Sequence, residues 1–404
     1  MKKITLFILC VVTLFSCINS GKIHPVTSRL MASRLLQIKQ DSLTTVINHE
    51  NAEILRFEDF NAKIKNIHYI PFFSKQPIGS VERLIIYDKY VIVLDAFKSE
   101  CVFIFDISGN LINVIKNKGG GPKEYHGLSD ISIHKEDSHI VLNDRLAPYL
   151  LYFTLDGQFV KKTRSTPCFR FEVFGDKIIN LLGFAQSFSL DIHENYNVGV
   201  SINDSILYKG LPYYPLQVQA VDCRGLWYNH KDELLYQPQL SDSVYQFVND
   251  STLYVKYVVA QKKDIWEKRN ENLSSQEYHT LVKESNYTYL RTPILETEQF
   301  LAYRIANGIM GHVASTGFWY DKNTKQSFTF GGYRNPEHQP NCVPSPMTVW
   351  GNYYVGMFLP DVIESFSKLK KMPGFTFGNE ELNHILENDI REDLEFILVM
   401  YELQ

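Results

Sequence analysis

From about residue 64 the chain alternates apolar and polar positions with a period of two. I-H-Y-I-P-F, R-L-I-I-Y-D-K-Y-V-I-V-L-D and C-V-F-I-F-D-I-S-G-N-L-I-N-V-I-K are rich in β-branched and aromatic residues, cut by Asp-Lys and Ser-Gly-Asn turn material. Such runs predict short strands joined by tight hairpins, where Asn and Gly supply the positive φ. The pattern also repeats. V-I-V-L-D-A-F-K-S-E-C-V-F-I-F-D-I-S-G-N-L-I (91–112) aligns without gaps on H-I-V-L-N-D-R-L-A-P-Y-L-L-Y-F-T-L-D-G-Q-F-V (139–160). Ile92/Ile140, Val93/Val141, Leu94/Leu142, Phe105/Phe153 and Gly109/Gly157 coincide. One unit cannot bury both faces of its own sheet, so units must stack on neighbours. At about 45–50 residues per four-stranded unit, the solution is a β-propeller blade.

Later copies are more worn. Residues 174–182, 226–257, 318–330 and 347–358 each carry part of the strand pattern, which predicts an all-β, six-bladed β-propeller over 51–404. Two stretches break the rhythm. Residues 262–287 read as a helical insertion, with capping-box spacing at Ser274-Ser275-Gln276-Glu277 and Tyr278, Leu281 and Val282 on one face. Leu382, Ile385 and Leu386 mark a short C-terminal helix. The chain then ends in E-F-I-L-V-M-Y-E-L, too apolar for an open edge, so it is expected to pair with the strand near Ile64–Phe72 and close the ring.

The start of the chain has a different pattern. Lys2 and Lys3 precede an apolar run from Ile4 to Phe15. That run is short of the about 20 residues a spanning helix needs, and it has the flanks of a signal peptide. Leu14-Phe15-Ser16-Cys17 resembles a bacterial lipobox, with Phe15 bulkier than usual, so residues 1–17 are expected to be a signal ending at a lipidated Cys17. Two or more acyl chains would anchor stably, each buried methylene contributing about 0.8 kcal/mol. Residues 18–50 read as a polar tether with one helical stretch, in which Leu30, Met31, Leu35 and Ile38 fall at partial helical spacing.

Composition narrows the partners. A net charge of −4 without a basic block argues against nucleic acid. Cys101, Cys168, Cys223 and Cys342 remain after the signal, widely spaced and without a C-x-x-C pair, so a zinc site of the usual spacing is not expected. Export permits disulfides among them, but Cys101 opens the run C-V-F-I-F and reads as a small buried hydrophobe.

The loop N-K-G-G-G-P-K-E-Y-H-G-L-S-D (117–130) raises the question of a phosphate cradle. A phosphate loop needs Gly-Lys-[Ser/Thr] entering a helix; here Gly121 meets Pro122 and Lys123 meets Glu124. Gly119, Gly120, Gly121 and Pro122 therefore read as a connector between blades. With S-D-I-S-I after it, the loop resembles the G-x-G-P-G-E-[FY] connector of NHL-type propellers. In particular, the chain resembles the six-bladed β-propeller lipoproteins of Bacteroides and relatives, with Lys123 in place of the second glycine. Q-L-S-D-S-V-Y-Q-F, P-I-L-E-T-E-Q-F-L and the closing R-E-D-L-E-F-I-L-V-M-Y-E-L extend the resemblance over nearly the whole chain. The resemblance implies a fold and an envelope location but no agreed activity, and it carries no catalytic residues.

Chemistry-bearing groups are sparse. Glu124, His126, Asp130 and His134 lie close in sequence but show no third ligand at matching spacing, so turn and surface roles are expected. Asp95 and Asn143, at equivalent repeat positions, are candidate channel-facing calcium ligands, with strand-end capping as the plainer role. Tyr213, Tyr214, Trp227 and Tyr228 are candidate ligand-facing aromatics, weighed against packing between blades. Ser42, Ser205, Ser243 and Ser251 sit in Asp-Ser-apolar or Asp-Ser-Thr triplets that resemble Bacteroides O-glycosylation acceptors. The expected protein is a lipid-anchored ligand- or protein-binding module for an envelope protein, peptide or glycan, without a cofactor. The alternatives are a calcium-dependent channel hydrolase or lyase, and a structural partner of an outer-membrane transport complex.

Overall fold

The computed structural model describes residues 34–40, 44–182, 196–219, 225–284, 286–307, 314–330, 343–373 and 375–404. Six antiparallel sheets follow one another along the chain. Blade 1 is Arg83–Tyr87, Tyr90–Asp95, Cys101–Asp106 and Leu111–Ile115, and blade 2 is Leu128–His134, His139–Asp144, Tyr149–Thr154 and Phe159–Arg164. Blade 3 runs from Phe171–Phe174 to Ser205–Pro212, blade 4 from Leu226–Tyr228 to Thr252–Ala260, and blade 5 from Tyr289–Glu296 to Gln326–Phe330. Blade 6 combines Thr348–Trp350, Tyr353–Phe358 and Leu394–Leu403 with Ile64–Phe73. The first strands of blades 5, 6, 1, 2, 3 and 4 adjoin one another in turn and surround the axis. This is the expected six-bladed propeller, and its ring is closed where expected, by Leu394–Leu403 against Ile64–Phe73.

Alternation explains the packing. In blade 1, Val91 and Val93 face blade 6, while Ile92 and Leu94 face blade 2. Each blade is thus apolar on both faces and is buried only because neighbours cover it. The turns between first and second strands carry positive φ at Asp88, Ser138, Gly175, Asp232 and Gly351. Gly109 (φ 91°) is required twice over, since a Cβ there would lie 2.1 Å from the Pro71 carbonyl oxygen of blade 6.

The gapless alignment of the two repeats needs a correction. Ile140 and Leu142 face blade 1, the preceding blade, so they match Val91 and Val93 and not Ile92 and Leu94. Phe105 and Phe153 do match, both facing the preceding blade. The one-residue difference lies in the loop between second and third strands, Ala96–Glu100 in blade 1 against Arg145–Pro148 in blade 2. Because strand side chains alternate with a period of two, a slip of one exchanges every face of the second strand.

A second correction concerns the N-terminal segment. Over its described part, the expected tether and its helical stretch are strands: Arg34–Leu35, Gln37–Lys39, Thr45–Asn48 and Glu53–Leu55. They lie parallel along the outer strands of blades 3, 4, 4 and 5 in turn, so the propeller includes residues before 51. Leu36, Ile47 and Leu55 are buried, one in each of the seams 3/4, 4/5 and 5/6. Their spacing of 11 and 8 residues matches the step from blade to blade, not the turn of a helix.

Helix α1 (Phe57–Ala62) leads into the closing strand. The insertion contains a 3₁₀ turn, Ile265–Lys268, and helix α2 (Ser275–Glu284). The expected capping box is formed: the Ser274 amide and hydroxyl donate to Glu277, at 2.8 and 2.6 Å. Tyr278 and Val282 pack with Leu216, Leu240 and Ile265. Helices α3 (Pro360–Lys370) and α4 (Glu380–Asn388) interrupt blade 6, and α4 buries Leu382, Ile385 and Leu386 as its spacing predicts. Among the described residues no helix is long and apolar enough to cross a membrane.

Candidate functional site

The glycine loop joins the outer strand of blade 1 to the inner strand of blade 2. It is closed by Gly119 N–H to the Tyr125 carbonyl and Tyr125 N–H to the Asn117 carbonyl, both 2.9 Å. The Glu124 carboxylate folds back to accept from Gly121 N–H at 2.7 Å. A Cβ on Gly119 would lie 2.1 Å from that carboxylate. The loop's own anion therefore occupies the place a phosphate would need. Tyr125 is fully buried in the seam between blades 1 and 2, its hydroxyl donating to the Glu100 carbonyl at 2.6 Å. Gly119, Gly120, Gly121 and Pro122 thus form a connector ending in an aromatic wedge.

The residues grouped by sequence around this loop do not converge. His126 Nδ1 lies 2.9 Å from Asp144, and His134 lies 3.4 Å from Asp137. Among the described residues no group of three or more His, Cys, Asp and Glu is placed to hold a metal ion. Asp95 accepts from Gly79 N–H (2.7 Å), Ser80 N–H (3.1 Å), the Ser80 hydroxyl (2.8 Å) and Lys98 N–H (3.0 Å). The Asn143 amide donates to Ser129 Oγ and the Cys168 carbonyl, each at 2.7 Å. Neither lines the central channel. They bind strand ends to loops, so they do not fit a calcium site. The position equivalent to Asp95 is Asp144, which accepts from His126, Gly127 and Leu146 N–H in the same way.

The central channel is the strongest candidate site. Its cavity of ≈ 180 Å³ is bounded by the inner strands of all six blades. Blades 1 to 3 supply a charged wall. Arg83 donates to Asp130 at 3.0 Å and also reaches the Ile131 carbonyl and Glu172. Arg170 reaches Asp130 at 3.3 Å and the Ser129 carbonyl at 2.9 Å. Ser132 donates to Glu172 at 2.5 Å, and Phe171 N–H donates to Asp130 at 3.1 Å. The register shift between Leu128 and Asp130 is a bulge, which re-aims the Asp130 side chain. Blades 4 to 6 supply the opposite wall, with Trp227, Tyr228, Pro293, Leu295, Met347 and Val349.

One mouth of the channel joins the two walls. The Tyr228 hydroxyl donates to the Val173 carbonyl, and the Lys135 ammonium lies 3.6 Å from the centre of the Tyr228 ring. Lys135 also pairs with Asp232 at 2.7 Å. Burial pushes the Tyr228 phenol well above its ordinary value, so it is a neutral donor across the biological pH range.

Of the four aromatics singled out in the sequence, Trp227 and Tyr228 therefore line the channel. Tyr214 instead meets Trp266 at 5.3 Å and Arg269 at 5.6 Å beside the insertion, and Tyr213 is half-buried nearby in chain. Ser205, Ser243 and Ser251 are partly exposed at strand ends and turns. Cys101 and Cys168 are buried free thiols. Cys17, Ser42, Cys223 and Cys342 lie outside the described residues. Sequence reading missed Arg83, Arg170 and Glu172 and gave Asp130 no channel role. The available signal was a carboxylate inside an otherwise buried strand, in L-S-D-I-S-I and F-E-V-F.

A second buried ionic group lies between blades 4 and 5. Glu296 lies 3.1 Å from Lys256 and 3.2 Å from Lys322, and accepts from the Asn229 amide at 2.7 Å. Burial opposes its charge, but Lys256, the Tyr257 hydroxyl, Lys322 and Asn229 outweigh burial and hold the carboxyl down at about 2.

The comparisons agree with the architecture. A family model described as "Domain of unknown function (DUF4934)" matches residues 44–402. A crystal structure of a protein from Bacteroides fragilis described as exported is 16% identical, with a TM-score of 0.66 over 89% of this chain and 100% of that one. A member of the DUF4221 family from Bacteroides vulgatus is 9% identical, with a TM-score of 0.49 over 84% of this chain and 97% of that one. A virginiamycin B lyase from Staphylococcus aureus is 8% identical, with a TM-score of 0.40 over 84% and 99%. At 16% identity the likeness to the Bacteroides fragilis protein concerns the fold alone. No curated protein matches the sequence.

Proposed function

The chain belongs to the DUF4934 family, and from that premise and its channel we propose a lipid-anchored binding module of the cell envelope. The channel takes a small ligand with a polar edge and an apolar face. The observation that carries this reading is the division of the channel wall: ion-paired Arg83, Asp130, Arg170 and Glu172 on one side, Trp227, Leu295 and Met347 on the other. Apolar and aromatic residues beside charged hydrogen-bonding groups suit a sugar or an aromatic ring. Rigid blades hold both walls in place, so little ordering cost accompanies binding. Anchoring is supported by the Lys2-Lys3 flank, the short apolar run and the lipobox-like Cys17.

Two measurements test this. Tryptophan fluorescence of the purified protein, titrated with a panel of monosaccharides, disaccharides and aromatic amino acids, should show saturable change with at least one member. Trp227→Ala should abolish it. No response across the panel, or the same response in Trp227→Ala, removes the channel from the proposal. Mass spectrometry of the membrane-extracted protein should find acyl chains on Cys17 and none in Cys17→Ser; an unmodified Cys17 removes the anchor.

A further inference from the structure

The N-terminal strap is held unevenly, and its weak end crosses one seam. Arg34–Leu35 pairs with Tyr208 and Lys209 of blade 3, and Gln37–Lys39 pairs with Thr252 to Tyr254 of blade 4. Six residues thus staple two blades together. Leu36 N–H donates to the Lys209 carbonyl at 2.8 Å, and Gln37 N–H to the Ser251 carbonyl at 2.9 Å. Leu36 is buried at the crossing, while Arg34, Leu35, Gln37, Ile38 and Lys39 are all exposed. One knob therefore supplies nearly all the apolar hold.

That knob has a dedicated socket. A Cβ at Gly210 would lie 2.7 Å from Leu36 Cδ1 and 2.8 Å from its Cβ, and its three nearest atoms all belong to Leu36. Gly210 has no positive φ, so backbone freedom does not account for glycine there. The room it leaves is filled by Leu36. The rear of the strap differs: Ile47 is wholly buried among Trp227, Leu235, Tyr257 and Tyr303, and Thr45–Asn48 pairs over four residues.

Leu36 also shares its seam cluster with Leu226 and with the partly buried Tyr228, both of which line the channel. We propose that Arg34–Lys39 is a releasable latch across the seam between blades 3 and 4. Its release acts on the channel wall, while Ile47 keeps the rest of the strap in place. The coupling to the channel rests on the binding role proposed above; the latch itself does not.

The test uses full-length Leu36→Ala, Gly210→Ala and the double variant, read by hydrogen exchange of Ser205–Pro212 and of blade 1 strands Tyr90–Asp95 and Cys101–Asp106. Each single variant should exchange at least about tenfold faster at Ser205–Pro212, with blade 1 unchanged. The double variant should lose clearly less than the two single losses added together, because Leu36→Ala removes Cγ and Cδ1 from beside the new methyl at 210 while the Cβ at 36 stays 2.8 Å from it. Equal acceleration in blade 1, no change anywhere, or additive loss in the double variant overturns the latch. Should a single variant fail to fold, Leu36→Val reads the same exchange at smaller perturbation. Fluorescence titration with a sugar or aromatic amino acid that binds the parent protein then tests the coupling separately. Unchanged affinity in Leu36→Ala removes the coupling and leaves the latch standing.

Discussion

The outer edges of blades 1 and 2 are finished by their own fourth strands, whereas those of blades 3, 4 and 5 carry an added parallel strand from the N-terminal strap. The difference follows from the strands themselves. Phe159–Arg164 of blade 2 presents Lys161, Lys162 and Arg164, and Leu111–Ile115 of blade 1 is only five residues long. Charge and brevity both protect an open edge. Thr252–Ala260 of blade 4 reads T-L-Y-V-K-Y-V-V-A, a long edge that needs cover, whereas Gln326–Phe330 of blade 5 is as short as the blade 1 strand but carries two phenylalanines, in Q-S-F-T-F. A blade can thus be completed locally by polarity or remotely by another segment, and one ring uses both.

Removing the strap should break this comparison most severely. A chain beginning at Arg56 lacks Leu36, Ile47 and Leu55, and burial of three such side chains contributes about 5–9 kcal/mol. That is comparable with the about 5–15 kcal/mol stability of a whole domain. Urea denaturation should show loss of the cooperative transition or a sharply lower midpoint. A truncated chain with the parent midpoint would mean that blades 3 to 5 are as self-sufficient as blades 1 and 2.

Within the strap, Ile47→Ala should cost about 2–5 kcal/mol, since the residue is wholly buried and its loss leaves a cavity in the seam between blades 4 and 5. Val160→Ala, on the exposed edge of blade 2, should change stability by less than about 0.5 kcal/mol. Equal effects in the two variants, measured by the same denaturation, would erase the distinction between covered and open edges.

Acid should find the same side of the ring. The Glu296 carboxyl has a lower pKa in the fold, about 2, than its ordinary 4.5. Its contribution is therefore present in full above the ordinary value and is lost as pH falls from 4.5 towards 2, on the order of 3 kcal/mol. Asp264 in the insertion behaves oppositely. Burial raises it to about 7, against the Trp266 N–H it caps, with Asp242 and Glu267 adding to the rise and Arg269 opposing it. Its protonated form is favoured by the fold, so stability there is full below the ordinary 3.8 and is lost as pH rises through about 7. Hydrogen exchange, corrected for its intrinsic pH dependence, should loosen residues 264–284 between pH 6 and pH 8 while Phe300–Asn307 stays protected. Loosening in the reverse direction would refute the assignment to Asp264.

How much was legible follows the same division. Blades 1 and 2 were visible because their hairpins are local, and turn residues such as Gly109 and Gly157 recur at a fixed distance. The one-residue slip in their second strands was invisible, because V-I-V-L and H-I-V-L are apolar at consecutive positions and carry no alternation to fix the face. The strap was misread because Leu35 and Ile38, which made it look helical, are exposed, while Leu36, which holds it, breaks the helical spacing. Partners lying from 174 (Arg34 to Tyr208) to 275 (Leu55 to Phe330) residues away leave no mark on a local pattern. The charged channel wall was hidden for a related reason: Arg83, Asp130 and Glu172 come from three blades, and only the ring brings them together. The propeller and its closing strand were legible because both are written in contiguous motifs.

The smallest expected effect lies in the connector of the self-sufficient half, and it separates two adjacent glycines. Gly119 and Gly120 look equivalent in G-G-G-P-K-E-Y, but a Cβ on Gly119 would strike the Glu124 carboxylate at 2.1 Å, whereas one on Gly120 meets nothing within 4 Å. Neither has a positive φ, so conformational strain does not distinguish them. Gly119→Ala must displace Glu124 from Gly121 N–H, a charge-assisted hydrogen bond worth about 1.5–3 kcal/mol. Gly120→Ala should leave the fold within about 0.5 kcal/mol of the parent, or stabilise it slightly by restricting the unfolded chain. Denaturation midpoints of the two variants decide the matter. Equal losses would mean that the loop needs glycine for its backbone and not for the space its own carboxylate fills.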